Sequence, residues 1–95
     1  MSNLFDLTGK TALITGAAGL LGPKHAEAIL EQNGNVILSD RDVERATMVA
    51  EQLNEKYNCM RALPMYMDVT DKESIDAVVN SHQRIDILIN NAAKD

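Results

Sequence analysis

The chain has 95 residues, 45% hydrophobic and 24% charged, with a formal net charge of −5. That suits one small soluble domain burying roughly 60–65% of its unfolded surface, and it excludes a disordered chain. No Lys/Arg cluster supports nucleic-acid binding, no segment reaches the roughly 20 apolar residues of a membrane span, and Cys59 alone can build neither an intramolecular disulfide nor a thiolate zinc cluster.

In chain order, Lys10 to Thr15 is short, apolar and flanked by Gly9 and Gly16, and reads as a buried strand. Leu21, Ala26, Ile29 and Leu30 follow at near-helical spacing. Pro23 suits the first turn of that helix, and Asn33-Gly34 supplies a left-handed stop. Val36-Ile37-Leu38 is a second buried strand, closed by Ser39-Asp40. Val43, Ala46, Ala50, Leu53 and Tyr57 recur at spacings of three and four, which predicts a second helix with Glu44, Arg45, Glu51 and Glu55 in solvent. Ala62 to Val69 is a third strand, and Pro64, unable to donate to a ladder, marks it as an edge. Thr70-Asp71-Lys72-Glu73 has the spacing of a capping box, and Ile75, Val78, Val79 and His82 continue one face of a third helix. Ile85 to Ile89 is a fourth strand, running into Asn90-Asn91-Ala92-Ala93.

Strand and helix alternate without repeat or linker, so residues 1–95 read as one α/β unit with a parallel sheet. Right-handed crossovers and analogy with doubly wound folds give the strand order 3-2-1-4. The first two helices then cover one face and the third covers the other, which is left underfilled.

The stretch TGAAGLLG, Thr15 to Gly22, lies between the first strand and the first helix. A helix N-terminus offers unpaired N–H groups and a partial positive charge, so an uncharged loop there can hold a diphosphate. Gly16 would permit the tight turn, Gly19 the close approach to phosphate, and Gly22 the packing of helix on strand, with Ala18, Leu20 and Leu21 completing the cradle. Asp40 ends the next strand, about 20 residues on, where an acid accepts hydrogen bonds from an adenosine ribose. Its charge repels a 2′-phosphate, which points to NAD, although the neighbouring Arg41 could pair with that phosphate in NADP. Alone, a glycine triplet is equally an ordinary turn. The strand before it, the helix after it and Asp40 supply the context the motif demands.

TGAAGLLG, Asp40, Asp68-Val69 and Asn90-Asn91-Ala92 in that order resemble the short-chain dehydrogenase/reductase family, across essentially the whole chain. The resemblance implies a three-layer Rossmann-like domain, with Asp68 and Val69 at the adenine and Asn90, Asn91 and Ala92 beside the adenosine ribose. The glycine spacing, Thr-Gly-x-x-Gly-x-x-Gly, resembles the extended branch of sugar-nucleotide epimerases and dehydratases. The Asn-Asn-Ala stretch resembles the single-domain branch instead.

The family's catalysis runs through Tyr-x-x-x-Lys with a Ser and an Asn beyond the fourth strand. Here Tyr57 is followed at that spacing by Arg61, and Tyr66 by Thr70, so no catalytic residue is assigned. Ser39, Ser74 and Ser81 match no catalytic position, with Ser74 and Ser81 expected in solvent. His25 and His82 lack partners for a metal site, and Met60, Met65 and Met67 read as core filling. The chain is therefore expected to be the cofactor-binding half of an NAD-dependent oxidoreductase in a reducing, cytoplasmic setting. Its fourth strand is expected to be an open apolar edge prone to self-association. A non-catalytic nucleotide-binding module and a ligand-free structural protein are the competing classes.

Overall fold

A computed structural model of the chain describes residues 6–80 and 85–91. Within them the elements run β1 (Thr11–Thr15), α1 (Gly22–Glu31), β2 (Asn35–Asp40), α2 (Val43–Lys56), β3 (Ala62–Tyr66), α3 (Lys72–Asn80) and β4 (Ile87–Asn90). All pairings are parallel and the sheet order is β3-β2-β1-β4, as the alternation predicts. Ser81, His82, Ala92 and Ala93 lie outside the described residues.

Strand periodicity sorts the core into two layers. Ala12 and Ile14 of β1, with Val36 and Leu38 of β2, face α1 and α2 and pack with Ala26, Ile29, Leu30, Ala50 and Leu53. Leu13 and Ile37 point the other way, toward Met67 of the chain after β3 and Val78 of α3. Among the described residues the first cluster holds eleven buried side chains and the second four, so the α3 face is indeed thin. An open apolar cavity of about 320 Å³, lined by Leu13, Met67, Ile75 and Leu88 among others, lies on that face.

Helices α1 and α2 end alike. Gly34 N–H donates to Ile29 O and Asn33 N–H to Leu30 O, while Cys59 N–H donates to Asn54 O and Asn58 N–H to Glu55 O. In each pair an asparagine takes the left-handed conformation, Asn33 at φ 72° and Asn58 at φ 49°. This double closure satisfies carbonyls that a helix end would leave bare. It also refines the expected stop: Asn33, not Gly34, carries the positive φ. Gly34 is needed for space, since a Cβ there would lie 2.7 Å from Ile29 Cγ2. The Arg61 guanidinium reinforces the joint by donating to Leu30 O and Gly34 O.

Edge strand β3 is closed on its outer side. Val36 N–H donates to Arg61 O and Met67 N–H to Asp40 O, so the odd-numbered residues face β2 and Ala62, Pro64 and Tyr66 face outward. Pro64 thus forfeits no ladder bond. Ala62 N–H donates to Asn54 Oδ1 at 2.9 Å and Asn54 Nδ2 donates back to Ala62 O at 3.0 Å, one side chain standing in for a neighbouring strand. The strand stops at Tyr66 rather than Val69 because β2 has ended at Asp40 and no further backbone is alongside. Met60 is 91% exposed and is not core.

The cap of α3 is displaced by one residue from the expected box. Asp71 Oδ1 accepts from Glu73 N–H, while the Thr70 hydroxyl is drawn back to Asp68 Oδ1. Ser74, expected in solvent, accepts Asp68 N–H on its hydroxyl at 2.8 Å.

Where α1 leaves the loop, a Cβ on Gly22 would fall 2.2 Å from Ala17 O and 2.6 Å from Ala17 Cα. That obstacle is backbone, whereas at Gly34 the nearest atom is the side-chain methyl Cγ2 of Ile29, with Leu7 Cβ at 3.1 Å and Ile29 O at 3.2 Å. Gly22→Ala is therefore expected to lower unfolding free energy by about 3 kcal/mol and Gly34→Ala by about 1 kcal/mol. Urea titration of both variants checks this, and equal losses would contradict it.

Candidate functional site

The C-terminal ends of β1, β2 and β4 converge on the turn that leaves β1, and its backbone is fastened on two sides. Toward β2, Ala17 N–H donates to Ser39 O at 3.0 Å and Ala18 N–H to Asp40 Oδ2 at 2.9 Å. Toward β4, the Thr15 hydroxyl donates to Asn90 Oδ1 and accepts Asn91 N–H, both at 3.0 Å, and Asn91 Nδ2 donates to Gly16 O at 3.1 Å. Gly16 has φ 61°, and Gly19 N–H closes the turn onto Gly16 O at 3.0 Å. A Cβ on Gly19 would crowd the same carbonyl at 3.1 Å.

Beyond this turn the loop is open. Leu20 is 93% and Leu21 54% exposed, and α1 begins with no side-chain cap and no acidic residue in its first turn. The other helices differ. Helix α2 starts with Asp42 capping Arg45 N–H and carries Glu44, and α3 starts with Asp71 and carries Glu73. Among the described residues, only the helix N-terminus at the glycine loop is bare of negative charge, and such a terminus attracts an anion.

Asp40, predicted from its place at the end of β2, is half-buried beside this loop. Its Oδ1 accepts Asp42 N–H at 2.9 Å and its Oδ2 holds Ala18, so each oxygen keeps acceptor capacity for a ligand hydroxyl. Asp68 follows β3, the neighbour of β2. Hydrogen bonds from the Thr70 hydroxyl and then its N–H hold the Asp68 carboxyl below the ordinary carboxylate range, against some desolvation, with a smaller contribution from the nearby Arg41 charge. Exposed Arg41 thus lies within electrostatic reach of Asp68, and Val69 is 44% exposed next to it.

The structure gathers Gly16, Ala18, Gly19, Asp40, Asn90 and Asn91 around one turn. Two supporting residues, Thr15 and Ser39, are not among the site residues that the sequence points to. Thr15 is 6% and Ser39 0% exposed, and the Ser39 hydroxyl donates to Ile14 O. Their signal was visible: each is a polar residue near the end of an otherwise apolar strand. Among the described residues no group of His, Cys, Asp and Glu could hold a metal ion, and no helix is long and apolar enough to cross a membrane.

An α/β sheet with an uncapped, glycine-led helix at its first strand end and an acid at its second is the architecture of a nucleotide-binding domain. The short chain dehydrogenase family matches residues 10–94, and the chain belongs to that family. Galactitol 2-dehydrogenase of Agrobacterium fabrum is 41% identical over 92% of this chain and 34% of its own length. The 15-hydroxyprostaglandin dehydrogenase [NAD(+)] of Macaca fascicularis is 37% identical over 90% of this chain and 34% of its own. The crystal structure of L-sorbose reductase from Gluconobacter frateurii, complexed with NADPH and L-sorbose, superposes with TM-score 0.85 at 35% identity, covering 95% of this chain and 35% of that one. The chain thus spans about a third of the length of these relatives. They are dehydrogenases and a reductase, so the epimerase branch suggested by the glycine spacing gains no support.

Because the Asp68 carboxyl is depressed in the folded state, its contribution to stability is present above its unfolded value and is lost as pH falls through the folded one, below about pH 4. Thr70→Val removes the largest cause. A carboxyl-carbon NMR titration is expected to show Asp68 moving up toward the ordinary range in the variant. An unchanged titration would mean that the hydroxyl contributes nothing.

Proposed function

We propose that this chain is the cofactor-binding portion of an NAD-dependent short-chain dehydrogenase/reductase. The single observation that carries the reading is the bare N-terminus of α1 behind a turn whose backbone is fixed on both sides. When bound, the nicotinamide dinucleotide supplies hydride exchange with a carbonyl or alcohol carbon. Gly16, Ala18 and Gly19 shape the turn, and Leu20, Leu21 and Gly22 open α1 toward the diphosphate without a basic side chain. Asp40 accepts from the adenosine ribose, Asp68 and Val69 flank the adenine, and Asn90, Asn91 and Ala92 border the ribose from β4.

NAD is the preferred cofactor in this reading because a 2′-phosphate would approach the Asp40 carboxylate. The name of the prostaglandin dehydrogenase agrees, since it specifies NAD(+). The NADPH complex of L-sorbose reductase favours the second reading, in which Arg41 pairs with the 2′-phosphate. Proton transfer belongs to the two thirds of the relatives' length that this chain does not match. Strand β4 pairs with β1 alone among the described residues, and Leu88 is 64% exposed. Association through this edge is therefore part of the proposal.

Calorimetry is expected to show NAD binding more tightly than NADP, with unfolding free energy raised by about 2.7 kcal/mol at a hundredfold excess over Kd. Asp40→Ala should weaken NAD far more than NADP, and tighter NADP binding by the unaltered protein would transfer the assignment to Arg41. In light scattering a mass above the monomer is expected, whereas a monodisperse, cooperatively unfolding monomer would remove the edge association.

A further inference from the structure

The same carboxylate that faces the ribose site also holds up the diphosphate loop. Asp40 Oδ2 accepts Ala18 N–H at 2.9 Å across 22 residues of sequence, and Asp40 Oδ1 accepts Asp42 N–H at 2.9 Å. Ala18 is 5% exposed, so without Asp40 its N–H would be a nearly buried donor with its partner gone. One residue back, Ala17 N–H rests on Ser39 O, whose own residue is pinned by its hydroxyl to Ile14 O. The end of β2 thus carries two consecutive loop amides, one on a main-chain oxygen and one on a side chain. Only the second is removable by mutation.

We propose that Asp40 is a positioning residue for the glycine loop, acting through Ala18 on diphosphate binding independently of any contact with ribose. The inference rests on the dinucleotide reading above and deepens it. An ionised carboxylate offers about four lone-pair sites, two of which are taken by Ala18 and Asp42, so loop support and ribose recognition coexist in one side chain. A charge-assisted bond to a backbone N–H is among the stronger kinds, and a mobile cradle loses the advantage of having its donors already aimed. Replacing Asp40 to admit NADP would therefore also loosen the loop that every dinucleotide uses.

Two nucleotides separate the roles. ADP carries both diphosphate and ribose hydroxyls, whereas 2′,3′-dideoxy-ADP keeps the diphosphate and lacks the hydroxyls. If Asp40 acts on ribose alone, Asp40→Ala leaves 2′,3′-dideoxy-ADP binding unchanged. The loop role predicts a loss of about tenfold for 2′,3′-dideoxy-ADP, equivalent to about 1.4 kcal/mol, and a larger one for ADP. Asp40→Asn has one oxygen for two donors, Ala18 N–H and Asp42 N–H, and sets its NH2 against the other, so its 2′,3′-dideoxy-ADP binding is expected to fall between those of Asp40→Ala and the unaltered protein. Amide hydrogen exchange gives a reading without nucleotide: Ala18 should be protected in the unaltered protein and exposed to exchange in Asp40→Ala. Equal binding of 2′,3′-dideoxy-ADP by Asp40→Ala and the unaltered protein overturns the inference. An unaltered protein that binds neither nucleotide overturns the dinucleotide reading itself, whatever the exchange data show.

Discussion

The turn out of β1 must meet two opposite requirements within a few residues. Amides packed into the protein have to find acceptors, because a buried N–H left alone is costly, yet the amides that open α1 have to stay without one if they are to receive an anion. The solution is spatial. Ala17 and Ala18 are handed to the end of β2, Gly16 offers its carbonyl to Gly19 and Asn91, and the chain then turns outward through Leu20 and Leu21 before helix begins. Fixing the buried half is what gives the open half a defined shape. Strand order serves the same end, since only with β2 and β4 on either side of β1 can Asp40 and Asn91 reach one loop.

The two sheet faces and two sheet edges are not equivalent. Helices α1 and α2 cover one face with a well-filled layer, and the joint between α1, β2 and β3 is knitted by Asn33, Gly34 and Arg61. The α3 face has few buried side chains and an open cavity. At the edges, β3 is blocked by Pro64 and by the Asn54 carboxamide on Ala62, the kind of protection an exposed strand needs against pairing with another chain. Strand β4 presents Leu88 at the other edge.

Much of this was legible from residue order, and the misses share a cause. The apolar runs of β1 and β2 told that both strands are buried, and Pro64 told which strand is outermost, because hydrophobicity and donor loss are local properties. The choice between Asn33 and Gly34 for the left-handed position was not local. Both tolerate it and Asn33 takes it, while Ile29 and Leu7 crowding position 34 account for the missing side chain there. The α3 cap moved to Asp71 because Asp68, a residue outside the helix, recruited Thr70. The placement of Gly16, Gly19 and Asp40 followed from motif spacing. The strap from Asp40 to Ala18 did not, because it spans β1 and β2 and depends on the register that sets Thr15 opposite Ser39. Sequence reads what a residue can do within a few neighbours, and the long-range partner decides which of those options is used.

Charge constrains the loop as well. A chain with net charge −5 is an unpromising host for a diphosphate, and the long-range field offers no attraction. On the proposed reading, attraction is short-ranged, from aligned amides and a helix dipole, and must not be cancelled locally. Capping α1 as α2 is capped would contribute about 1 kcal/mol of stability and fill the anion position with the protein's own oxygen. An acid in its first turn would add a few tenths more and repel the ligand. The chain uses both devices on α2 and α3 and neither on α1. That difference between helices of one molecule is hard to ascribe to composition, since Asp and Glu are plentiful. It is the pattern expected when stability at one helix end has been given up to keep a binding position open.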